Sequence, residues 1–412
     1  MSDYESENEE GQELDLSNSD VVTKYKAAAE ITNSALAAVV KAAKSGAKIL
    51  DLCSKGDSVI EEAVAKVFKG KSIEKGVSFP TCVSVNSIVG HCSPLSEDTT
   101  ELKDGDLVKI DLGAHIDGFV ATAAHSLVVQ ADEDAAVTGK AADVIAAANT
   151  ALEAAIRLIR PGKKISDVSK TLQQIADAYG TSLVEGVLSH QLKQFVIDGN
   201  KCVLNKPTPE HRAEDGEFEE NEVWGIDILM STGEGKAKVL DEKETTVYKR
   251  ALDQEYKLKL KASRGIFSEI NKKYPTMPFT VRSLDSKQSR LGLVECLNHG
   301  LLHPYPVLHE KNGELVAQFK ATVLLMPNGS DRVTSAPLQK LETEKKVEDE
   351  EVKKLLASSI KSKKKNKPKK KKSGKAANGT EAEPEAEAME TDKDAVVKAK
   401  EAEEAQDGLR AL

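Results

Sequence analysis

Asp111 stands inside an apolar, β-compatible run, Val108-Lys-Ile-Asp-Leu-Gly-Ala-His-Ile116. A second run follows, Phe119-Val-Ala-Thr-Ala-Ala-His-Ser-Leu-Val128. The pair reads as two strands joined by turn residues over His115–Gly118. A carboxylate buried in such a strand is costly unless it is ion-paired, hydrogen-bonded or bound to a metal. Asp111 is therefore either a site residue or an outward-facing side chain at a strand edge. Gly233-Glu-Gly-Lys236 has the residue types of a phosphate loop but is too short for one, and reads as a turn.

A different chemistry sits near the C-terminus. Lys361, Lys363, Lys364, Lys365, Lys367, Lys369, Lys370, Lys371, Lys372 and Lys375 form a polycation with no intervening acid. Its natural partner is phosphate. Seven such contacts to single-stranded RNA would give log K a slope of about −5 against log salt. Contacts of this kind add affinity and little base preference.

The totals narrow the choices. The 412-residue chain carries a net charge of −9, and removing the ten lysines of the run leaves −19 on the remainder. Residues 1–20 alone hold eight acids and no base. A basic block on an acidic chain is a local binding device rather than a general affinity for polyanions. Aromatics at 4% argue against stacking platforms for bases. Five cysteines without a CxxC pair point to reduced thiols in a cytosolic or nuclear compartment, without structural zinc. No apolar stretch approaches the length of a membrane span, and the acidic N-terminus is unlike a secretory signal.

Several elements must position these residues. Residues 1–20 read as an acidic disordered arm. Lys24–Lys44 is alanine-rich with helical spacing and stops at Gly46, and a second helix is expected from Asp57 to Phe68. Gly46-Ala-Lys-Ile-Leu-Asp-Leu52 recurs as Gly162-Lys-Lys-Ile-Ser-Asp-Val168, each copy between two helical stretches. The echo predicts two related halves facing each other across a cleft, with Gly closing one helix and Asp opening the next. Strands are expected over Val223–Met230 and Gln318–Met326, separated by a charged insertion over about 240–300 that is helical at Ala251–Ile270. The compact domain is placed at 21–340, and 341–412 reads as a charged, largely disordered tail made of a Glu/Lys-rich helical piece, the lysine run and a Glu/Ala-rich end.

The hairpin at Asp111 resembles that of the type II methionine aminopeptidases, the pita-bread metallopeptidases. The resemblance covers most of residues 20–340. It implies an α/β (α+β) pita-bread fold of two pseudo-symmetric halves with a helical insertion. It also implies where the family's five metal ligands fall. The hairpin aspartates match Asp111 and Thr122, the histidine matches His190, and the two glutamates match Asp227 and Lys320. The family's substrate-contacting histidines match His91 and Asp198. His115 and His125 read as scaffold. Thr122 offers no anionic oxygen, and Lys320 places a positive charge where a divalent ion belongs. At an effective dielectric near 20, that charge about 4 Å from the ion is repelled by roughly 8 kcal/mol. The expectation is a vestigial site, with no metal, no cofactor and no catalytic residue, in which Lys320 pairs with Asp111 and Asp227. The alternative is an active metal-dependent methionine aminopeptidase with one ion held by Asp111, His190 and Asp227.

Longer markers narrow the resemblance. They are Val21-Val-Thr-Lys-Tyr-Lys26, Glu185-Gly-Val-Leu-Ser-His-Gln-Leu-Lys193, Ser231-Thr-Gly-Glu-Gly-Lys-Ala-Lys238 and Val323-Leu-Leu-Met-Pro-Asn-Gly329, followed by the lysine run. The chain is similar to the proliferation-associated, ErbB-receptor-binding family. That likeness implies a non-peptidase that binds structured RNA including rRNA, the large ribosomal subunit, and nuclear and signalling proteins. It implies roles in growth control, ribosome biogenesis and translation, in cytoplasm, nucleus and nucleolus. Lys24 and Lys26, with the C-terminal lysines, match positions used for RNA binding and nucleolar targeting. The family's LxxLL motif corresponds to Val352-Lys-Lys-Leu-Leu356, which lacks the first leucine. No self-pairing face is evident, and a monomer is expected.

Overall fold

The first helix, α1 (Ser19–Ala42), buries Val21, Tyr25, Ala28, Ala29, Thr32, Ala35, Leu36 and Val39 along one stripe. It starts earlier than the alanine pattern predicted because the Asn18 side chain caps it, accepting from the Asp20 N–H at 2.9 Å. Leu16 is buried with Val21, Tyr25 and Phe119, so the last residues of the expected acidic arm belong to the fold. In the computed structural model of the chain, residues 14–132, 134–208, 216–284 and 289–361 are described. They fall in one compact unit, Met1–Lys364.

The second helix, α2, spans Ile49–Val64 rather than opening at Asp57. Asp57 sits mid-helix, where it accepts the Thr81 N–H at 2.8 Å and pairs with Arg282 at 2.5 Å. Its partners lie far along the chain, which is why local pattern read it as a cap.

The strands β1 (Lys75–Val85), β2 (Ile88–Gly90), β3 (Leu107–Ile116) and β4 (Phe119–Val128) follow. Every residue of β3 and β4 is buried, so both faces of the hairpin are covered. The turn is the two residues Asp117 and Gly118, at φ of 55° and 76°. His115 stays within β3 instead of opening the turn. Gly118 is required: an added Cβ would lie 2.6 Å from the Phe195 ring.

Helices α3 (Gly139–Leu158) and α4 (Ile165–Tyr179) repeat the α1–α2 arrangement. The sequence echo has a physical basis. In the first copy Gly46 donates to the Leu102 carbonyl and Ile49 to that of Thr100. In the second Gly162 donates to Phe218 and Ile165 to Gly216. Gly46 and Gly162 both adopt positive φ, and each helix begins three residues later. The glycines lie beyond the preceding helix ends, and Asp51 and Asp167 lie inside the first turns rather than at the caps.

The remaining elements are β5 (Ser182–Leu183), β6 (Leu188–Leu192), β7 (Cys202–Leu204), β8 (Val223–Ser231), β9 (Val247–Arg250), α5 (Lys261–Lys273), β10 (Phe279–Thr280), α6 (Ser289–Asn298), β11 (Leu302–Tyr305), β12 (Leu308–His309), β13 (Val316–Met326), β14 (Gly329–Arg332) and α7 (Glu350–Ala357). The main sheet runs β1-β3-β4-β13-β8-β6-β7, all neighbours antiparallel. One core packs α1 and α2 against β3 and β4. The other packs α3 and α4 against β8 and β13. The insertion holds its own sheet, β10-β9-β11, and its own core with α5 and α6. Its helix starts at Lys261 rather than Ala251, where the Glu295 carboxylate accepts the N–H groups of Lys259 and Leu260.

The stretch after residue 340 also departs from its reading as tail. Val352 of α7 is buried against the α3 core, with Leu355, Leu356 and Ile360 partly buried beside it. Arg157 holds the Ser358 carbonyl and Ser330 donates to Ile360. Lys363–Lys375 and the acidic residues 1–13 lie outside the described residues. No described helix is long and apolar enough to cross a membrane.

Candidate functional site

Four residues form one row across the middle of the main sheet. Asp111 on β3 faces Ala124 on β4, Ala124 faces Lys320 on β13, and Lys320 faces Asp227 on β8. Cross-strand partners share a sheet face, so this register points both carboxylates and the ammonium the same way, with only a methyl group intervening. Lys320 Nζ lies 2.6 Å from Asp111 Oδ2 and 3.0 Å from Asp227 Oδ2. It also sits 5.3 Å from the centroid of the Phe79 ring.

Gln318, two residues earlier on the same face, ties the carboxylates together. Its Nε2 donates to Asp111 Oδ2 at 3.2 Å and to Asp227 Oδ1 at 3.0 Å. Sequence reasoning missed this residue, although its position two before Lys320 on a strand was a usable signal. Asp111 Oδ1 is buried with no hydrogen-bond partner. Burial pushes the Asp111 carboxyl upward, and Lys320 opposes it. Burial would strip the proton from Lys320, but Asp111 and Asp227 override it and hold the ammonium above the ordinary lysine range.

The two candidate histidines stay neutral. Burial lowers both His91 and His190. His91 Nδ1 lies 3.0 Å from the Pro306 carbonyl and His190 Nδ1 3.3 Å from that of Gly199. A carbonyl can only accept, so each Nδ1 carries the proton and each Nε2 keeps a lone pair. His91 adopts φ of 65°, a costly conformation for a histidine, and its ring is wedged between Phe79 and Tyr305.

Thr122 serves the backbone. Its carbonyl accepts the hydroxyls of Thr322 and Thr334 at 2.9 and 3.0 Å. Asp198 lies at the rim, paired with Lys249. His91, Thr122, His190, Asp198, Asp227, Gln318 and Lys320 line a cavity of about 390 Å³ whose walls include Val89, Val184, Leu229 and Leu308, and Asp111 lies beneath it. His115 and His125 are buried scaffold, with burial lowering each to about 4. The Gly233–Lys236 turn is pinned by Glu310, whose carboxylate accepts the Gly235 N–H at 2.8 Å.

The donor set does not fit the metal pair of the aminopeptidase fold. Among the described residues, no group of three His, Cys, Asp or Glu side chains could hold a metal ion. An ammonium between Asp111 and Asp227 presents protons where an ion needs lone pairs.

Residues 23–247 match the model of metallopeptidase family M24. The chain is 58% identical to ErbB-3 binding protein 1 of Solanum tuberosum, covering 95% of this chain and 100% of that one. It is 49% identical to proliferation-associated protein A of Dictyostelium discoideum, covering 84% and 91%. It is 44% identical to the curved DNA-binding protein of Schizosaccharomyces pombe, covering 88% and 96%. The chain belongs to the ErbB-3-binding, proliferation-associated proteins of family M24. A solved M24-type fold, a thermophilic Arx1, superposes with a TM-score of 0.79 at 33% identity, covering 84% of this chain and 99% of that one. A methionine aminopeptidase from Thermotoga maritima shares the pita-bread fold, with a TM-score of 0.52 at 19% identity over 77% and 98% of the two chains.

The basic residues of this M24 chain divide. Lys24 is buried, held by Asp20 at 2.7 Å and Asp117 at 2.8 Å, with its Nζ 5.5 Å from the Phe119 ring. It ties α1 to the β3–β4 turn, with its ammonium shared between two carboxylates. Lys26 is half-exposed and pairs with Asp331 at 3.1 Å. Lys361 is exposed, and its backbone bridges to Gly329.

Proposed function

We propose that this protein is a catalytically inactive relative of the methionine aminopeptidases. In this reading it binds structured RNA including rRNA, the large ribosomal subunit, and nuclear and signalling proteins in growth control, ribosome biogenesis and translation. It works in cytoplasm, nucleus and nucleolus. Asp111, Thr122, His190, Asp227 and Lys320 are the remnant of a metal site, and His91 and Asp198 of a substrate site. The observation that carries the reading is the Lys320 ammonium seated between Asp111 and Asp227. It supplies the countercharge a metal would otherwise supply, so no hydroxide nucleophile can be generated there.

The lysine run supports polyanion binding, and the names of the relatives point to protein and nucleic-acid partners for those proteins. Calorimetric titration of chelator-stripped protein with Mn²⁺ and Co²⁺, with methionyl-peptide cleavage in the same samples, tests inactivity. The expected result is neither binding nor turnover. Micromolar binding with turnover would restore the aminopeptidase reading. Neutralising Lys361–Lys375 is expected to weaken RNA binding and leave the fold intact.

A further inference from the structure

The described chain ends where the lysine run begins, and the residues around that exit point are specific. Three arginines converge there. Arg332 and Arg157 both take the Glu153 carboxylate, at 2.7 and 2.6 Å. Arg157 also holds the Ser358 carbonyl at 3.1 Å, and Arg160 holds that of Ser359 at 3.2 Å. Arg160 is the odd one out. Among the described residues no carboxylate pairs with it, and its buried Nε has no hydrogen-bond partner. Arg157 beside it adds like-charge repulsion. Of the acids around the guanidinium cluster, Glu153 is engaged by two arginines and Asp331 by Lys26.

The turn that follows α3 puts exposed Lys163 next to Arg160, with the Lys163 N–H on the Arg160 carbonyl at 3.2 Å. Exposed Lys361 lies on β14, where Ser330 donates to the Ile360 carbonyl at 3.0 Å and its hydroxyl to that of Ile159 at 3.4 Å. A guanidinium that no described carboxylate pairs, exposed Lys163 in the turn after it and exposed Lys361 thus flank the end of α3. Guanidinium forks match phosphate oxygens in geometry as well as charge.

We propose that Arg160, Lys163 and Lys361 form a folded phosphate-docking patch for RNA at the root of the lysine run. The patch takes backbone phosphate at a fixed place. This inference rests on the RNA-binding reading above and assigns its folded anchor.

The test is fluorescence anisotropy of the full chain with a labelled single-stranded oligouridine across a salt series. Arg160→Gln with Lys163→Gln removes two contacts. The slope of log K against log salt should flatten by about 1.4, and affinity near physiological salt should fall about tenfold. Lys163→Gln alone touches no folding contact of its side chain and should flatten the slope by about 0.7. Arg160→Lys keeps the charge and should retain most of the slope while losing affinity. Unchanged affinity and slope in both glutamine variants, with binding lost on neutralising Lys361–Lys375, would overturn the patch and leave the RNA reading standing. A wild-type chain that binds no RNA would remove both.

Discussion

Lys320 and Asp111 sit on strands separated by β4, yet Nζ of one lies 2.6 Å from Oδ2 of the other. The long lysine side chain crosses above Ala124, the small residue between them in the row. A larger residue at 124 would stand in its path. The contact makes the site an internal ion cluster of one cation and two carboxylates, cross-tied by Gln318.

Breaking that cluster should be expensive. Lys320→Met leaves Asp111 and Asp227 buried together with no cation, a loss of about 3–5 kcal/mol. Urea unfolding measures it. Combining the change with Asp111→Asn should recover part of the loss, because it ends the repulsion between the two carboxylates and removes the more deeply buried charge. A cost below about 1 kcal/mol for the single variant would contradict the ion-cluster account.

The site should be convertible. Lys320→Glu with Thr122→Asp replaces the cation by a carboxylate and returns an anionic oxygen to the hairpin. Mn²⁺ should then raise the thermal midpoint of the double variant and leave that of the wild-type chain unmoved, since a ligand stabilises only the state that binds it. A folded double variant indifferent to Mn²⁺ would mean that the surrounding backbone no longer suits an ion pair.

Lys109 predicts a pH dependence. Its Nζ is fully buried, donates to the carbonyls of Asn86 and Val316 at 2.9 Å each, and burial lowers it to about 7. The unfolded chain holds that proton to about pH 10.4. Between those values the unfolded state binds more protons than the folded one, so stability rises with pH, by up to about 1.4 kcal/mol per unit from this group. Denaturation midpoints at neutral and alkaline pH, compared with Lys109→Met, isolate the effect. Equal pH slopes in the two proteins would show that Lys109 stays charged.

The seat of α7 constrains its use as a docking motif. Val352 is 3% exposed and belongs to the α3 core. Val352→Asp should release α7 at a local cost of about 1.5–3 kcal/mol. Hydrogen exchange should then speed up over Glu350–Ala357 while the sheet keeps its protection. A partner that grips Leu355 and Leu356 must undock the helix first, so it should bind the variant more tightly. Unchanged exchange in α7 would mean that Val352 is not its anchor.

The sequence by itself determined the pieces whose signals are local. Apolar, β-compatible runs marked β4, β8 and β13, and an Asp inside an apolar strand marked the site. The Gly-x-Lys-Ile echo marked the two halves, because each copy makes its own turn and its own bridge to a later segment. The resemblance to the aminopeptidases placed the cation of Lys320 among carboxylates. What only the tertiary structure decided is which groups meet. The register of β13 against β4 and β8 puts Lys320 in line with Asp111 and Asp227 and brings Gln318 onto both. Burial between Asp20, Asp117 and Phe119 turns Lys24 from a surface charge into a structural tie. Packing on α3 seats the helical piece of an apparent tail in the core, and the convergence of Arg157 and Arg332 on Glu153 leaves Arg160 without an acid. Strand-forming composition is written within a few residues, whereas partnerships across the sheet depend on contacts between segments up to hundreds of residues apart.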